Sequence, residues 1–431
     1  MPSDTPTKSR RRFLLRFLLV GVVLTFVAMI VLGGELLVRY RKSKDLDRRI
    51  SELERLVVSN VVYNSARMKG YEGRDDVDPG EHFRLRRTIP RTYRPYIEYR
   101  RVPYESQTTN INSLGYRGSE FDIVKKEGVF RILIYGGSFV WGTGAITDRE
   151  TIAGHLEAML NAERKEGPTF EVINCGETAY NSTQELVFLM IEGVYLSPDL
   201  VISLDGVNDT GLGYTELPAG YPFMFDQINS LMCNNRRLRD VFTIEDELDY
   251  LKKSRSLVWK VDGMALIEQL QRLIDSDQGA SAWRQGDFTT AEEFALRHFT
   301  NLRCARGLAD EFGFKFGAAI QPNALFHKPL HEQEQQVMES LTARKTYYDR
   351  FNWWRDHYSR YTDMVVHLCE DVELPVIDLR RVYENNSDQI YIDDCHVTGE
   401  GYRIVAEAIH DWIRDSQLIP GGFSEHTALK Q

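Results

Sequence analysis

The stretch Arg131-Ile132-Leu133-Ile134-Tyr135-Gly136-Gly137-Ser138-Phe139-Val140-Trp141-Gly142 reads as a buried strand running into a tight turn. Its unbroken apolar run, bounded by glycines, suits a strand covered on both faces. Two adjacent glycines let the backbone turn sharply and leave Ser138 at the elbow. A serine there can be a nucleophile if a base lies beside it; a phosphate-binding turn has a similar look.

Outward from this segment, short apolar runs alternate with helical patterns. Phe170–Asn174, Leu200–Leu204, Phe314–Ile320 and Leu374–Leu379 read as further buried strands, with Arg131–Tyr135 as the first. Helical periodicity falls near 148–163, 182–195, 290–312, 343–371 and 400–415. Such alternation predicts an α/β fold, three layers with a central parallel sheet between helices. Residues of about 210–289, with Trp259 and Trp283, interrupt it after the third strand and read as a helical insertion or lid.

Ligands of an open parallel sheet collect beyond the carboxyl ends of its strands. Beyond the second strand stands Asn174-Cys175-Gly176-Glu177-Thr178-Ala179-Tyr180-Asn181, and beyond the third Asp205-Gly206-Val207-Asn208-Asp209. After the last come Tyr391-Ile392-Asp393-Asp394-Cys395-His396 and then Val397-Thr398-Gly399-Glu400-Gly401. An Asp three residues before a His can hold one ring nitrogen while the other faces the serine as general base.

The ordered set GGSFVWG, NCGETAYN, GVND and DDCH, spanning Arg131 to about Ile413, resembles the SGNH, or GDSL-like, hydrolase superfamily. The lead-in Asn112-Ser113-Leu114-Gly115-Tyr116-Arg117-Gly118 looks like that of membrane-anchored bacterial members. The resemblance implies a flavodoxin-like catalytic domain that cleaves carboxylic esters through an acyl-serine. It implies Ser138 as nucleophile, His396 as base and then acid, and Asp393 as orienting carboxylate, with Asp394 as the alternative partner. Asn208 and the Ser138 N–H would bind the oxyanion. The third donor falls on Ala179, with Gly176 as the fallback. Two positions depart from the family pattern: Ala179 replaces a glycine, and Gly137 stands where the GDSL motif has Asp.

The resemblance leaves three activities open. Water resolving the acyl-serine makes an esterase for O-acyl or acetyl groups on a glycan or lipid. A sugar hydroxyl makes an O-acyltransferase for cell-envelope or exported polysaccharide. A catalytically idle, anchored glycan-binding or assembly protein is the third reading, and Gly137 and Ala179 are the features in its favour.

The N-terminal region has a different character. Phe17–Gly34 is an uncharged run of 18 residues, extended to 22 by Glu35–Val38, between clusters of Arg and Lys. About 20 apolar residues cross a bilayer as a helix. The expectation is one anchor in the lipid bilayer over residues 13–38. A cleavable signal peptide fits poorly, because no small-residue cleavage site precedes RYRKSK. Basic residues flank both ends, so their count does not decide orientation. The resemblance places the catalytic part outside the cytoplasm, periplasmic or extracellular. The expected layout is a basic tail and anchor over 1–45, a stalk and extended arm over 46–125, a catalytic domain over 126–420 and a tail over 421–431.

Charge follows this division. Of the net −10, residues 1–50 carry +7 (11 Lys and Arg against 4 Asp and Glu), which leaves −17 for the other 381. Such a balance argues against nucleic acid and puts neutral esters ahead of acidic ones. A basic, aromatic passage at 83–104, FRLRRTIPRTYRPYIEYRRVPY, reads as an arm packed along the acidic domain, with a polysaccharide or anionic surface as the other reading.

Other candidates are weaker. Gln321 and Asn323 stand where substrate contact or a turn would suit. His327 and His331 have the spacing of a metal pair without a third ligand, so neither a metal nor a cofactor is expected. Trp353 and Trp354 read as core of a long helix. Cys175, Cys233, Cys304, Cys369 and Cys395 form no CxxC pair, and none holds the nucleophile position.

Overall fold

A computed structural model describes residues 8–72, 89–211, 218–222, 290–326 and 328–420. The described residues fall into two compact units, one ending at Val58 and one beginning at Ser59.

Helix α1, Lys8–Lys69, makes up the first unit and continues into the second. Its stretch Leu18–Ser51 is long and apolar enough to cross a membrane, with mean hydropathy 2.3 in its most apolar window. Large apolar side chains from Leu18 to Leu37 are exposed. In water they would invite aggregation; in a bilayer they are the lipid-facing surface. The Thr25 hydroxyl donates back to the Gly21 carbonyl at 2.9 Å, so it needs no other partner. Where the uncharged run ends, Glu35 pairs with Arg39 one turn later at 2.6 Å. The helix runs unbroken through the expected stalk.

The second unit is built on five parallel strands: β3 (Val129–Gly136), β4 (Thr169–Asn174), β5 (Leu200–Asp205), β6 (Lys315–Ile320) and β7 (Val376–Asp378). Their spatial order is β4-β3-β5-β6-β7. Every residue of β5 is buried, as expected for a central strand covered on both faces. Helices α3 (Ile152–Glu163) and α8 (Gly399–Asp415) pack as one layer; α4 (Ser182–Ile191), α5 (Ala291–Phe312) and α7 (Lys345–Glu370) pack as another. Helix starts carry side-chain caps: Thr151 for α3, Asn181 for α4, Thr290 for α5 and Thr398 for α8.

The chain leaves β3 toward β4 on one side and later returns to β5 on the other, so the order reverses beside β3. That reversal opens a crevice beyond the carboxyl end of β3, where Ser138 begins the short helix α2 (Ser138–Trp141).

Three expectations change. Residues 182–195 are one helix and a separate 3₁₀ turn, because α4 ends at Ile191 and Gly193 begins the turn. A Cβ on Gly193 would lie 2.1 Å from the Tyr135 hydroxyl, so the chain there passes too close to the sheet for an ordinary residue. A further helix, α6 (Glu332–Thr342), precedes α7, capped by His331. Part of the extended arm is an antiparallel hairpin, β1 (Arg91–Arg94) and β2 (Glu98–Arg101). Apart from 210–211 and 218–222, the expected insertion lies outside the described residues, as do His327, Cys233 and the 421–431 tail.

Candidate active site

Ser138 sits at the start of α2, its hydroxyl 2.6 Å from His396 Nε2. His396 Nδ1 lies 2.7 and 2.8 Å from the two oxygens of Asp393. A carboxylate only accepts, so Nδ1 carries the ring proton, and Nε2 is left to accept from Ser138. Asp393 Oδ1 also accepts the N–H groups of Cys395 (3.0 Å) and His396 (2.7 Å). Burial pushes the Asp393 carboxyl up, but the His396 charge and these hydrogen bonds outweigh it and hold it well below the usual range. It therefore stays ionised.

Asp394 turns the other way. Its carboxylate pairs with Arg350, whose guanidinium lies 4.5 Å from the Tyr347 ring centroid and 4.8 Å from that of Trp354. It orients α7 against the catalytic loop and does not face His396. Cys395 lies 3.7 Å from His396 Nδ1, but burial pushes its thiol far above the ordinary value. Burial pushes Cys175 up to about 12. Neither is a competing nucleophile, since the thiolate is the reactive form. Among the described residues Cys175, Cys304, Cys369 and Cys395 are free. Asp393, Cys395 and His396 form a ligand-like cluster, yet both nitrogens of His396 are engaged by Asp393 and Ser138.

The expected oxyanion donors separate. Gly176 is corrected: its N–H donates to Asn174 Oδ1 at 3.0 Å, and a Cβ there would lie 2.2 Å from the Trp141 nitrogen. It is a packing glycine. Ala179 takes the left-handed conformation, φ 66°, that a glycine would adopt freely. Among the described residues no acceptor takes the N–H of Ser138 or of Ala179. Asn208 gives one amide hydrogen to the Tyr180 carbonyl at 2.7 Å, which leaves the other available. A Cβ on Gly137 would stand 2.1 Å from Asn208 Nδ2. Gly137 thus makes the room that brings Asn208 beside Ser138, and an Asp there would displace it.

Gln321 and Asn323, the candidate substrate or turn residues, are both buried. Gln321 donates to the Cys395 carbonyl at 3.4 Å, and Asn323 accepts from Leu325 N at 3.0 Å to close a turn. Trp354 is core, as expected, and its indole N–H reaches Thr210 at 3.1 Å. Asp209 accepts from the backbone and hydroxyl of Ser182, bracing the Asn208 loop against α4.

Arg117, quoted in the lead-in but given no role, holds the loop after α2. It donates to the carbonyls of Trp141 (3.0 Å), Gly142 (2.7 Å) and Ala145 (2.9 Å) and pairs with Asp148 at 2.8 Å. One arginine fork meets four acceptors that a lysine could not span together. Nothing in the local pattern signals this, because the partners lie 24 to 31 residues away.

Behind the Asn208 loop, Glu185 and Asp205 form a buried acid pair. A cavity of about 20 Å³ beside them, lined in part by Tyr135, Ser182 and Asn301, has room for one water. Burial and the Asp209 charge push Asp205 up to about 6, and burial with the Asp205 charge pushes Glu185 well above the usual carboxylate range. A raised carboxyl favours the folded state while protonated. That contribution is complete below the unfolded value near 4 and is lost as pH rises through about 6. Asp205→Asn removes the titration, so its Tm should rise relative to the native protein between pH 5 and pH 7.5. Parallel Tm curves over that range would remove this account.

The second unit is therefore a doubly wound α/β domain with a Ser–His–Asp relay at its switch point. No protein-family model matches the chain, and no curated protein matches it. Among solved structures it is similar to the acetyl xylan esterase AlAXEase (14% identity, 65% of this chain, 98% of that one, TM-score 0.35). It is also similar to the inhibitor-bound aryl esterase of M. smegmatis (16% identity, 66% and 99%, TM-score 0.36). A third is the lipase/acylhydrolase of Enterococcus faecalis (14% identity, 67% and 96%, TM-score 0.35). At these scores none of them decides function, which has to be read from this chain's own residues.

Proposed function

We propose that the chain is a membrane-anchored serine esterase that cleaves O-acyl groups from a glycan or lipid through an acyl-serine. The observation that carries this reading is the relay Asp393–His396–Ser138, with bonds of 2.7 and 2.6 Å, next to unengaged N–H groups. Ser138 Oγ attacks the ester carbonyl while its proton passes to His396 Nε2. Asp393 stabilises the resulting imidazolium. Asn208 and the amides of Ser138 and Ala179 take the oxyanion. Collapse expels the alcohol, which leaves with the proton from His396. Water, deprotonated by the same nitrogen, then releases the acid.

The two departures from the family pattern do not favour an idle protein. Gly137 makes room for Asn208, and Ala179 adopts the backbone conformation its position requires. A sugar hydroxyl in place of water would make the site an O-acyltransferase. The apolar window within Leu18–Ser51 supports keeping this second reading, since as a membrane anchor it would hold the site where exported polysaccharide passes. The lack of a small-residue cleavage site between the apolar run and RYRKSK supports a retained anchor over a cleaved leader. In this reading the second unit lies outside the cytoplasm; protease added to intact cells should then cut beyond residue 50 but not before the anchor.

A fluorophosphonate probe is expected to form one adduct, on Ser138, that Ser138→Ala abolishes. Its absence from the native protein would remove the reading. Release of acetate from an acetylated oligosaccharide, with and without an acceptor sugar, separates esterase from transferase.

A further inference from the structure

The basic, aromatic passage closes onto the site at one peptide. The Tyr99 hydroxyl donates to the carbonyl of Thr178. That carbonyl and the N–H of Ala179 belong to one planar trans peptide, so they point in opposite directions. A bond that holds the carbonyl toward the hairpin therefore aims the N–H the other way. Donation to the carbonyl also polarises the amide and makes its N–H a better donor.

The neighbouring contacts support the same peptide. Arg91 and Arg101 donate to the Thr178 hydroxyl, Arg101 at 3.2 Å. Arg101 is buried, pairs with Glu177 at 3.2 Å, and lies 4.3 Å from the Trp141 ring centroid. Glu177 in turn accepts from Thr178 N at 2.9 Å. On the far side, Tyr180 donates its hydroxyl to the Tyr99 carbonyl, and the two rings meet edge to face at 5.5 Å. The Tyr180 carbonyl holds Asn208 at 2.7 Å. Ala179, between these anchored residues, keeps a φ of 66°, which an L-residue avoids without such support.

We propose that Tyr99 is a positioning residue of the acyl-transfer site, holding the Thr178–Ala179 peptide so that left-handed Ala179 presents its N–H to the oxyanion. Its hydroxyl does the work that an intrinsic left-handed preference would do if residue 179 were glycine. The proposal rests on the acyl-serine reading above and adds a specific coupling between residues 99 and 179.

The coupling is tested with p-nitrophenyl acetate on full-length Tyr99→Phe, Ala179→Gly and the double variant, with Ser138 labelling followed in parallel. Tyr99→Phe removes one oxygen and keeps the ring. It should lower kcat roughly tenfold, short of the 10²–10³ seen when an oxyanion donor is deleted, with KM nearly unchanged. In that background Ala179→Gly should recover most of the loss, because glycine holds the left-handed conformation unaided. Ala179→Gly alone supplies the rate against which the double variant is read. Unchanged kcat in Tyr99→Phe overturns the proposal, as does a loss that Ala179→Gly fails to repair. Native protein that neither turns over nor labels removes the acyl-serine reading and the proposal with it.

Discussion

Asp393→Asn should lower turnover of an activated ester by about 10⁴, the effect of holding a catalytic imidazole in the wrong tautomer. An amide at 393 offers a donor where His396 Nδ1 needs an acceptor, so Nε2 no longer faces Ser138 as a base. Ser138→Ala and His396→Ala should each remove about 10⁶, with no further loss on combining them, because the relay acts as one unit. Asp394→Asn is the informative contrast. Its partner is Arg350, so its main effect should fall on stability, on the order of 3 kcal/mol for a buried charge left without its counter-ion. Its rate should stay within about tenfold of native, since no catalytic atom is lost. Urea midpoints and kcat, measured on both Asn variants, read the two effects separately. The reverse pattern would reassign the orienting carboxylate to Asp394.

Gly144→Ala should also lower the rate strongly, through a backbone contact. A Cβ at 144 would lie 1.9 Å from the Val397 carbonyl and 2.9 Å from Ile392. Both belong to the turn that presents Asp393 and His396, in which Ile392 N donates to the His396 carbonyl at 2.9 Å. The loop at 144 cannot easily retreat. Tyr71 donates to the Gly144 carbonyl at 2.7 Å, and Arg117 fastens Gly142 and Ala145 on either side. The catalytic turn has to move instead, and a displacement near 1 Å costs about 10² in rate. Overpacking of this kind also destabilises by about 1–3 kcal/mol. The measurement is kcat together with Tm. Native kcat in a folded Gly144→Ala protein would show that the turn tolerates the shift and that the fit is looser than these distances imply.

Much of the site was legible in order along the chain. Apolar runs such as Leu200–Asp205 mark strands because a strand covered on both faces must be apolar throughout. Gly136-Gly137-Ser138 marks an elbow because only small residues allow the sharp exit from β3. Asp393 and Asp394 both stand within three residues of His396 in one turn, so a local Asp–His contact is legible although its carboxylate is not. The apolar helix is visible from length and hydropathy alone.

What remained open depends on segments far apart in the chain. Adjacent Asp393 and Asp394 are indistinguishable by spacing, and the choice falls to Arg350, 44 residues away. Counting from Asn174 puts Ala179 ahead of Gly176, but the choice between them is made only when Asn174 takes the Gly176 amide and the hairpin, 79 residues upstream at Tyr99, fixes the other. Gly137 looked like a lost Asp until the fold put Asn208 against it. Local periodicity and turn chemistry are set by neighbours within a few residues, so the sequence by itself determined the strand segments, the serine elbow and the Asp–His turn. Orientation of a peptide plane or a carboxylate is set by whichever distant group the packing delivers, and here only the tertiary structure decided it.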